Sequence, residues 1–204
     1  MRVIVYDRTC VRTRGHLTPF WASGSLLYRG LRRIDAAHGI ETWDEALAWL
    51  AARPSPITEV QYWGHGTWGG AWIADQLLDA DALSPAHRLR AGLDALRDRL
   101  APDPLIWFRT CHSLGAVRGI DFAERLADFL GARVAGHTHV IGFHQSGLHA
   151  LAPGTPADWS PEEGLAEGSA AAPVRAKPSR PWAPRTITCL HGQVPPAWFS
   201  RGIG

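Results

Sequence analysis

The sequence has little lysine and no long uninterrupted apolar run. Lys177 is the only lysine among 204 residues, so arginine carries nearly all of the positive charge. Twenty-one basic and nineteen acidic residues give a net charge of +2, and no alternation of basic and aromatic residues marks a nucleic-acid surface. No apolar stretch approaches the roughly 18 residues that a membrane span needs. We therefore expect neither a nucleic-acid partner nor a membrane partner.

Cysteine is also scarce. Cys10, Cys111 and Cys189 are odd in number and widely spaced, and they contain no CxxC pair. This pattern favours neither a disulfide framework nor a cysteine-rich zinc site. Residues 1–7 form a short β-prone run that ends in a charge, unlike a cleavable leader. We therefore expect a cytoplasmic protein.

The apolar pattern predicts strands that alternate with helices. Thr42 and Glu45 form a capping box at the start of a helix, and Gly131 is a typical helix C-cap. Residues 105–108 are almost uninterruptedly apolar, as in a central parallel strand. The predicted strands are 2–6, 58–63, 71–73, 105–108, 133–141 and 186–190, and the predicted helices are 42–52, 84–100 and 120–130.

This order predicts an α/β fold with a mainly parallel sheet and helices on both faces. Residues 1–150 form the predicted α/β domain. Residues 151–204 form an irregular extension, rich in Pro, Ala and Gly, that packs on the same domain and has a last strand near 186–190. Residues 8–33 show little apolar period and are predicted to be a long loop or a partly ordered excursion. Residues 152–185 show no apolar period and are predicted to be a long surface loop or mobile segment.

Two reactive residue types follow predicted strands. His65 lies in a Gly-His-Gly turn after one strand, and Cys111 follows another. In open parallel sheets, the loops after the strands converge on one crevice, so the two side chains can face each other. An imidazole can deprotonate a thiol and make it a nucleophile. We therefore predict a His65–Cys111 dyad in which Cys111 ionises more easily than an ordinary cysteine.

The motifs around this pair carry a family resemblance. The stretches Tyr-Trp-Gly-His-Gly-Thr-Trp-Gly (62–69) and Ile-Trp-Phe-Arg-Thr-Cys (106–111), with Gly115, are followed by Phe-Leu-Gly-Ala-Arg-Val-Ala (129–135) and Gly142. Their order resembles that in caspase-like cysteine peptidases, and more closely that in an uncharacterised caspase-like domain of large bacterial surface proteins. The resemblance covers roughly residues 1–150 and implies a caspase-like sandwich.

The resemblance also implies roles for individual residues. His65 would be the general base and acid, Cys111 the nucleophile, and the amides of Gly66 and Cys111 the oxyanion donors. The function implied is that of a cysteine endopeptidase with a thioester intermediate, a polypeptide substrate, no cofactor, and an activating protein partner left open. Residues 109–113 read Arg-Thr-Cys-His-Ser instead of the caspase pentapeptide, so caspase specificity for aspartate does not carry over. The candidate substrate-binding residues near the dyad are Trp68, Arg109, His112 and Ser113.

Two alternatives remain open at this stage. A caspase-like module without activity would bind proteins only. A histidine-ligated metalloprotein would use His137 and His139, which share a face if they lie on one strand, although the sequence offers no obvious third ligand. The sequence does not specify the substrate or the oligomeric state.

Overall fold

The computed structural model describes residues 1–10 and 16–198. Residues 11–15 of the predicted loop 8–33, and residues 199–204 of the predicted extension, lie outside the described residues. Within the described residues, the α-helices are α1 (Thr18–Gly30), α2 (Trp43–Ala51), α3 (Arg90–Arg97) and α4 (Ala116–Leu130). The strands are β1 (Arg2–Asp7), β2 (Ala36–Ile40), β3 (Ile57–Trp63), β4 (His65–Thr67), β5 (Gly70–Ile73), β6 (Gln76–Asp79), β7 (Leu100–Arg109), β8 (Arg133–His137), β9 (His144–Gln145), β10 (Leu148–Leu151), β11 (Leu165–Gly168), β12 (Pro173–Ala176) and β13 (Ile187–Thr188).

Six strands form the central sheet, in the order β10-β8-β7-β3-β1-β2. All neighbouring pairs are parallel except β10, which runs antiparallel to β8. The predicted α/β class with a mainly parallel sheet is therefore confirmed. A separate three-stranded sheet, β4-β5-β6, follows β3 directly.

Three helices cover one face of the central sheet. Val3 and Val5 of β1 share a buried apolar cluster with Leu50 of α2, Leu93 of α3 and Phe122 of α4. The alternation of side chains along a strand places Ile4 on the opposite face. The face covered by α2, α3 and α4 therefore carries most of the core.

The opposite face is covered by α1 and by the carboxyl-terminal segment. Ile4 lies in a cluster with Tyr28 of α1, and Trp107 of β7 lies in another with Ile187 of β13 and Val194. The layer on this second face of the sheet therefore consists of α1 and the carboxyl-terminal segment, which lie far apart in sequence.

Several predicted elements are confirmed, and the residues that predicted them have the expected capping or strand roles. Thr42 accepts a hydrogen bond from the Glu45 amide at the start of α2, and the Glu45 carboxylate accepts one from the Glu41 amide. Gly131 ends α4 with a left-handed φ of 60°. The apolar run 105–108 lies in β7, between β3 and β8.

Helix α1 lies in the segment 8–33 that the sequence predicts to be a loop, so that prediction is wrong for residues 18–30. The buried residues of α1 are Thr18, Ser25 and Tyr28, whereas Phe20 and Leu26 are exposed. Because small and polar residues line its buried face, α1 lacks the apolar period that identifies a helix from sequence.

Two boundaries in the middle of the chain also differ from prediction. The helix expected from residue 84 begins only at Arg90, after a 3₁₀ turn at Ala80–Leu83. The strand expected over 133–141 ends at His137. His137 and His139 therefore do not share a strand face.

The segment 152–185 is more ordered than predicted. It contains the antiparallel hairpin β11–β12. Trp159 is buried, and its indole N–H donates to the Leu114 carbonyl at 3.0 Å. The last predicted strand exists as β13, but it pairs with β9 and not with the central sheet. No helix in the described ranges, 1–10 and 16–198, is both long and apolar enough to cross a membrane.

Candidate active site

Three chemically reactive residues follow three neighbouring strands. Tyr6 of β1 pairs with Trp63 of β3, and Trp63 pairs with Arg109 of β7. Because these strands are parallel, their carboxyl ends lie at one edge of the sheet. Cys10 comes three residues after β1, and His65 and Cys111 each come two residues after β3 and β7. We call the segments that follow these three strands the carboxyl edge.

His65 lies at the centre of the carboxyl edge. It is half-buried and begins β4, where it pairs with Trp72 of β5. Its ring meets the edge of Trp21 at a centroid distance of 5.6 Å. Its Nε2 atom lies 3.0 Å from Cys10 Sγ, a hydrogen bond whose direction depends on the tautomer of the ring.

Cys10 is the residue of this edge that the sequence reasoning missed. It is buried, with 1% of its surface exposed. The sequence places it at the start of a loop, which gives no reason to link it with His65. The signal that would have found it is the strand order, because β1 lies directly beside β3.

Cys111 is half-buried, and its thiol donates a long hydrogen bond, 3.9 Å, to the Ile141 carbonyl. Burial raises the pKa of the Cys111 thiol, and the hydrogen bond to Ile141 offsets this only in part. The prediction of an easily ionised Cys111 is therefore wrong for the resting protein. The neutral thiol needs a base before it can act as a nucleophile.

Gly66 brings the His65 segment onto the Cys111 segment. A Cβ atom at Gly66 would lie 2.1 Å from the Cys111 carbonyl oxygen and 2.8 Å from Thr110 Oγ1. Only glycine permits so close an approach of the two backbones. The structure therefore places the residues of the predicted dyad, and the two predicted oxyanion amides, on segments that touch.

The turn after Cys111 has an unusual backbone. His112 and Ala116 both adopt left-handed conformations, with φ of 40° and 61°. Non-glycine residues in this region store strain of about 1–3 kcal/mol each and cluster at functional sites. The His112 amide donates to the His139 carbonyl at 2.9 Å, and the Leu114 amide donates to the His137 carbonyl at 3.0 Å, so the turn is held against the end of β8.

Trp68 and His112 form one wall of the site. Their ring centroids are 4.7 Å apart, and the Trp68 ring packs where a side chain on Gly115 would stand. Burial lowers the pKa of His112 to about 4, so its imidazole is neutral at pH 7. Ser113 follows His112 and is fully buried, and its hydroxyl has no hydrogen-bond partner in the described part of the chain.

Arg109 is buried beside the site, with all of its N–H groups in use. Nε and Nη2 donate to Gln145 Oε1 at 3.1 and 2.8 Å. Nη1 donates to the Tyr28 hydroxyl at 2.7 Å and the His191 carbonyl at 3.0 Å, and Nη2 also donates to the Cys189 carbonyl at 3.2 Å. Because a guanidinium has five N–H donors, none remains for a substrate. The geometry favours a structural role for Arg109.

Each histidine of the metal alternative uses its Nδ1 atom within the chain, whereas Nε2 of His137 is buried and has no hydrogen-bond partner among the described residues. His137 is fully buried, its Nδ1–H donates to the Ser146 carbonyl at 3.1 Å, and burial lowers its pKa to about 3. His139 Nδ1 lies 2.9 Å from the Thr138 hydroxyl. Within residues 1–10 and 16–198, no three His, Cys, Asp or Glu side chains are arranged to hold a metal ion.

Comparison of the chain with the models of known protein families, with curated proteins and with solved structures gave no match.

Proposed function

We propose that this chain is a caspase-like cysteine peptidase in which His65 is the base and Cys111 the nucleophile. The observation that carries the proposal is the contact of Gly66 with the Cys111 carbonyl, which joins the two reactive segments at neighbouring ends of parallel strands. The left-handed residues His112 and Ala116 give a second argument, because strained backbone is retained where a site needs it.

The proposed reaction follows from these groups. His65 takes the proton of Cys111, and the sulfur bonds to the carbonyl carbon of the scissile peptide. The amides of Gly66 and Cys111 donate to the resulting oxyanion. The imidazolium of His65 gives its proton to the departing amine as the carbon–nitrogen bond breaks, leaving a thioester. Water then attacks the thioester, His65 takes its proton, and the thiol of Cys111 is restored as the acid leaves.

The raised pKa of Cys111 makes His65 essential in this scheme. A thiol that rests in its neutral form reacts only when its proton moves to the base during the attack. Trp68 and His112 stand beside Cys111 as a neutral wall for the peptide chain. The side chains of Arg109 and Ser113 are buried, and we assign them no contact with the substrate.

The test measures alkylation of each cysteine by iodoacetamide and by a peptidyl chloromethyl ketone at pH 7, read by mass spectrometry. In the wild-type chain we expect the peptide probe to label Cys111 faster than Cys10 or Cys189. His65→Ala should slow this labelling at least about a hundredfold, the range of a general base. The matched control His87→Ala removes an imidazole outside the carboxyl edge and should leave the rate unchanged.

Cys10→Ser removes the thiol that lies at His65 Nε2. We expect Cys111 to be labelled in this variant, whereas Cys111→Ser should abolish peptide cleavage. Peptide labelling at Cys10 instead of Cys111 would overturn the assignment of the nucleophile.

A second candidate is a caspase-like module that binds proteins without catalysis. The burial that raises the pKa of Cys111 favours it, because a neutral, half-buried thiol is also what an inert site contains. Equal and slow alkylation of all three cysteines, with no effect of His65→Ala, would establish this alternative.

A further inference from the structure

An apolar pocket of about 540 Å³ lies beside the carboxyl edge. Three segments line much of the pocket: helix α1, the loop after β8 and the segment after β13. This volume lies within the range of pockets that hold small ligands or side chains. Its apolar lining includes Leu17, Phe20, Trp21, Leu27, Phe143 and Leu190.

Several of these side chains are exposed although they are large and apolar. Phe20 is 71% exposed, Phe143 60%, Leu190 51% and Leu27 47%. Single exposed apolar residues are ordinary, but a concave cluster of them marks a surface that is covered when a ligand binds. These residues come from three segments that lie far apart in sequence: α1, the loop after β8 and the segment after β13.

The pocket reaches both members of the proposed dyad. Trp21, in its wall, contacts the His65 ring. Ile141, also in its wall, accepts the hydrogen bond from Cys111 Sγ. A peptide whose carbonyl carbon lies at Cys111 therefore has this pocket within reach of an adjacent side chain.

The charge of the pocket selects against charged side chains. Arg109 is the one Lys, Arg, Asp or Glu among the described lining residues, and its five N–H donors are already taken by the chain. An ammonium group would meet the like charge of Arg109, a carboxylate would find no free N–H donor on Arg109, and each would lose hydration on entry.

We propose that this pocket is the specificity pocket, and that it takes a large apolar side chain, such as Phe or Leu, next to the scissile bond. This inference rests on the proposed peptidase function. It makes the chain a peptidase for apolar sites, in contrast to the aspartate specificity of caspases.

The experiment uses four peptidyl chloromethyl ketones that differ only in the side chain next to the ketone: Phe, Leu, Asp or Lys. The rate of Cys111 labelling is measured for each, with iodoacetamide as the probe without a side chain. We expect the Phe and Leu probes to react at least about tenfold faster than the Asp and Lys probes. Leu27→Ser and Phe143→Ser should remove most of this preference when each probe rate is divided by the iodoacetamide rate of the same variant.

Leu26→Ser is the matched control. Leu26 is the next residue on α1, is 66% exposed and does not line the pocket, so its exchange should leave the preference intact. Equal rates for the four probes, or an equal effect of Leu26→Ser and Leu27→Ser, would overturn the specificity pocket while the peptidase function stands. Failure of every probe and of iodoacetamide at Cys111 would overturn both. Sedimentation of the wild-type chain as a dimer that Leu27→Ser dissociates would assign the pocket to a second copy and also overturn the inference.

Discussion

His65 contacts the thiol of Cys10 through one ring nitrogen, and its second ring nitrogen is a separate hydrogen-bonding group. Nε2 lies at Cys10 Sγ, and the proposed reaction then uses Nδ1 toward Cys111. A group that fixes one nitrogen of a catalytic histidine sets the tautomer and the orientation of the ring. In the proposed peptidase, Cys10 is therefore a positioning residue, a role that its loop position in the sequence does not reveal.

Two other histidines make the stability of the chain depend on pH. Burial lowers the pKa of His137 to about 3 and that of His112 to about 4, against about 6.5 in an unfolded chain. The unfolded state therefore binds more protons below pH 6.5. The contribution of these residues is fully present above that pH and is lost as the pH falls toward their folded pKa values.

We predict that the free energy of unfolding falls between pH 7 and pH 5, and that His137→Asn reduces this fall. Asn keeps a side-chain N–H for the Ser146 carbonyl but does not titrate. At pH 5 a histidine with a folded pKa near 3 accounts for about 2 kcal/mol of the fall, and the variant should lack that part. Urea denaturation at several pH values measures it. An equal fall in both proteins would contradict the assignment, and the exposed His16→Asn serves as the control.

At the scale of elements, the site depends on how β4 lies on the turn after β7. Gly66→Ala would drive a methyl group into the Cys111 carbonyl, 2.1 Å away. Since both partners are backbone, β4 must move, at a cost of about 1–3 kcal/mol. We predict a loss of stability of this size and a slower peptide labelling of Cys111, measured by denaturation and by mass spectrometry.

Gly30→Ala is the control for that variant. Nothing lies within 4 Å of a Cβ atom at Gly30, so stability should not fall, a gain of up to about 1 kcal/mol being usual for Gly→Ala in a helix, and labelling should stay unchanged. A Gly66→Ala protein that matches the Gly30→Ala protein in both measurements would show that the contact between β4 and the turn does not hold the site together.

The elements with local signals are the ones that the sequence predicts. Helix α2 has its capping residues Thr42 and Glu45, α4 has Gly131, and β7 has an apolar run. Helix α1 and the hairpin β11–β12 have no such signal, since the first buries small and polar residues and the second is largely exposed. The order of strands that brings Cys10 to His65 depends on pairing across the sheet, which no local pattern encodes.

At the scale of the whole molecule, the chain after β10 closes over the sheet. Trp159 enters the main core cluster, and β13 with Val194 covers Trp107 on the other face. The sequence predicts residues 152–185 to be cleaved first by proteases. Because Trp159 is buried, we expect proteases to cleave this segment first at the exposed turn of the β11–β12 hairpin, near Ser169.

Arg109 connects this closing segment to the sheet and to α1. We predict that Arg109→Lys lowers the free energy of unfolding by about 2 kcal/mol or more, because an ammonium has three donors and no planar fork and so leaves buried acceptors unpaired. Urea denaturation checks the stability, and limited proteolysis should find new cleavage near Cys189 and His191, whose carbonyls accept hydrogen bonds from Arg109.

Arg125→Lys is the control, since Arg125 makes only an exposed ion pair with Asp121 among its described contacts. This variant should change stability by less than about 1 kcal/mol. Because Cys189 and Leu190 line the apolar pocket, loosening this segment should also weaken the preference for apolar probes. Equal stability of the two lysine variants would show that the Arg109 network does not hold the carboxyl-terminal segment on the sheet.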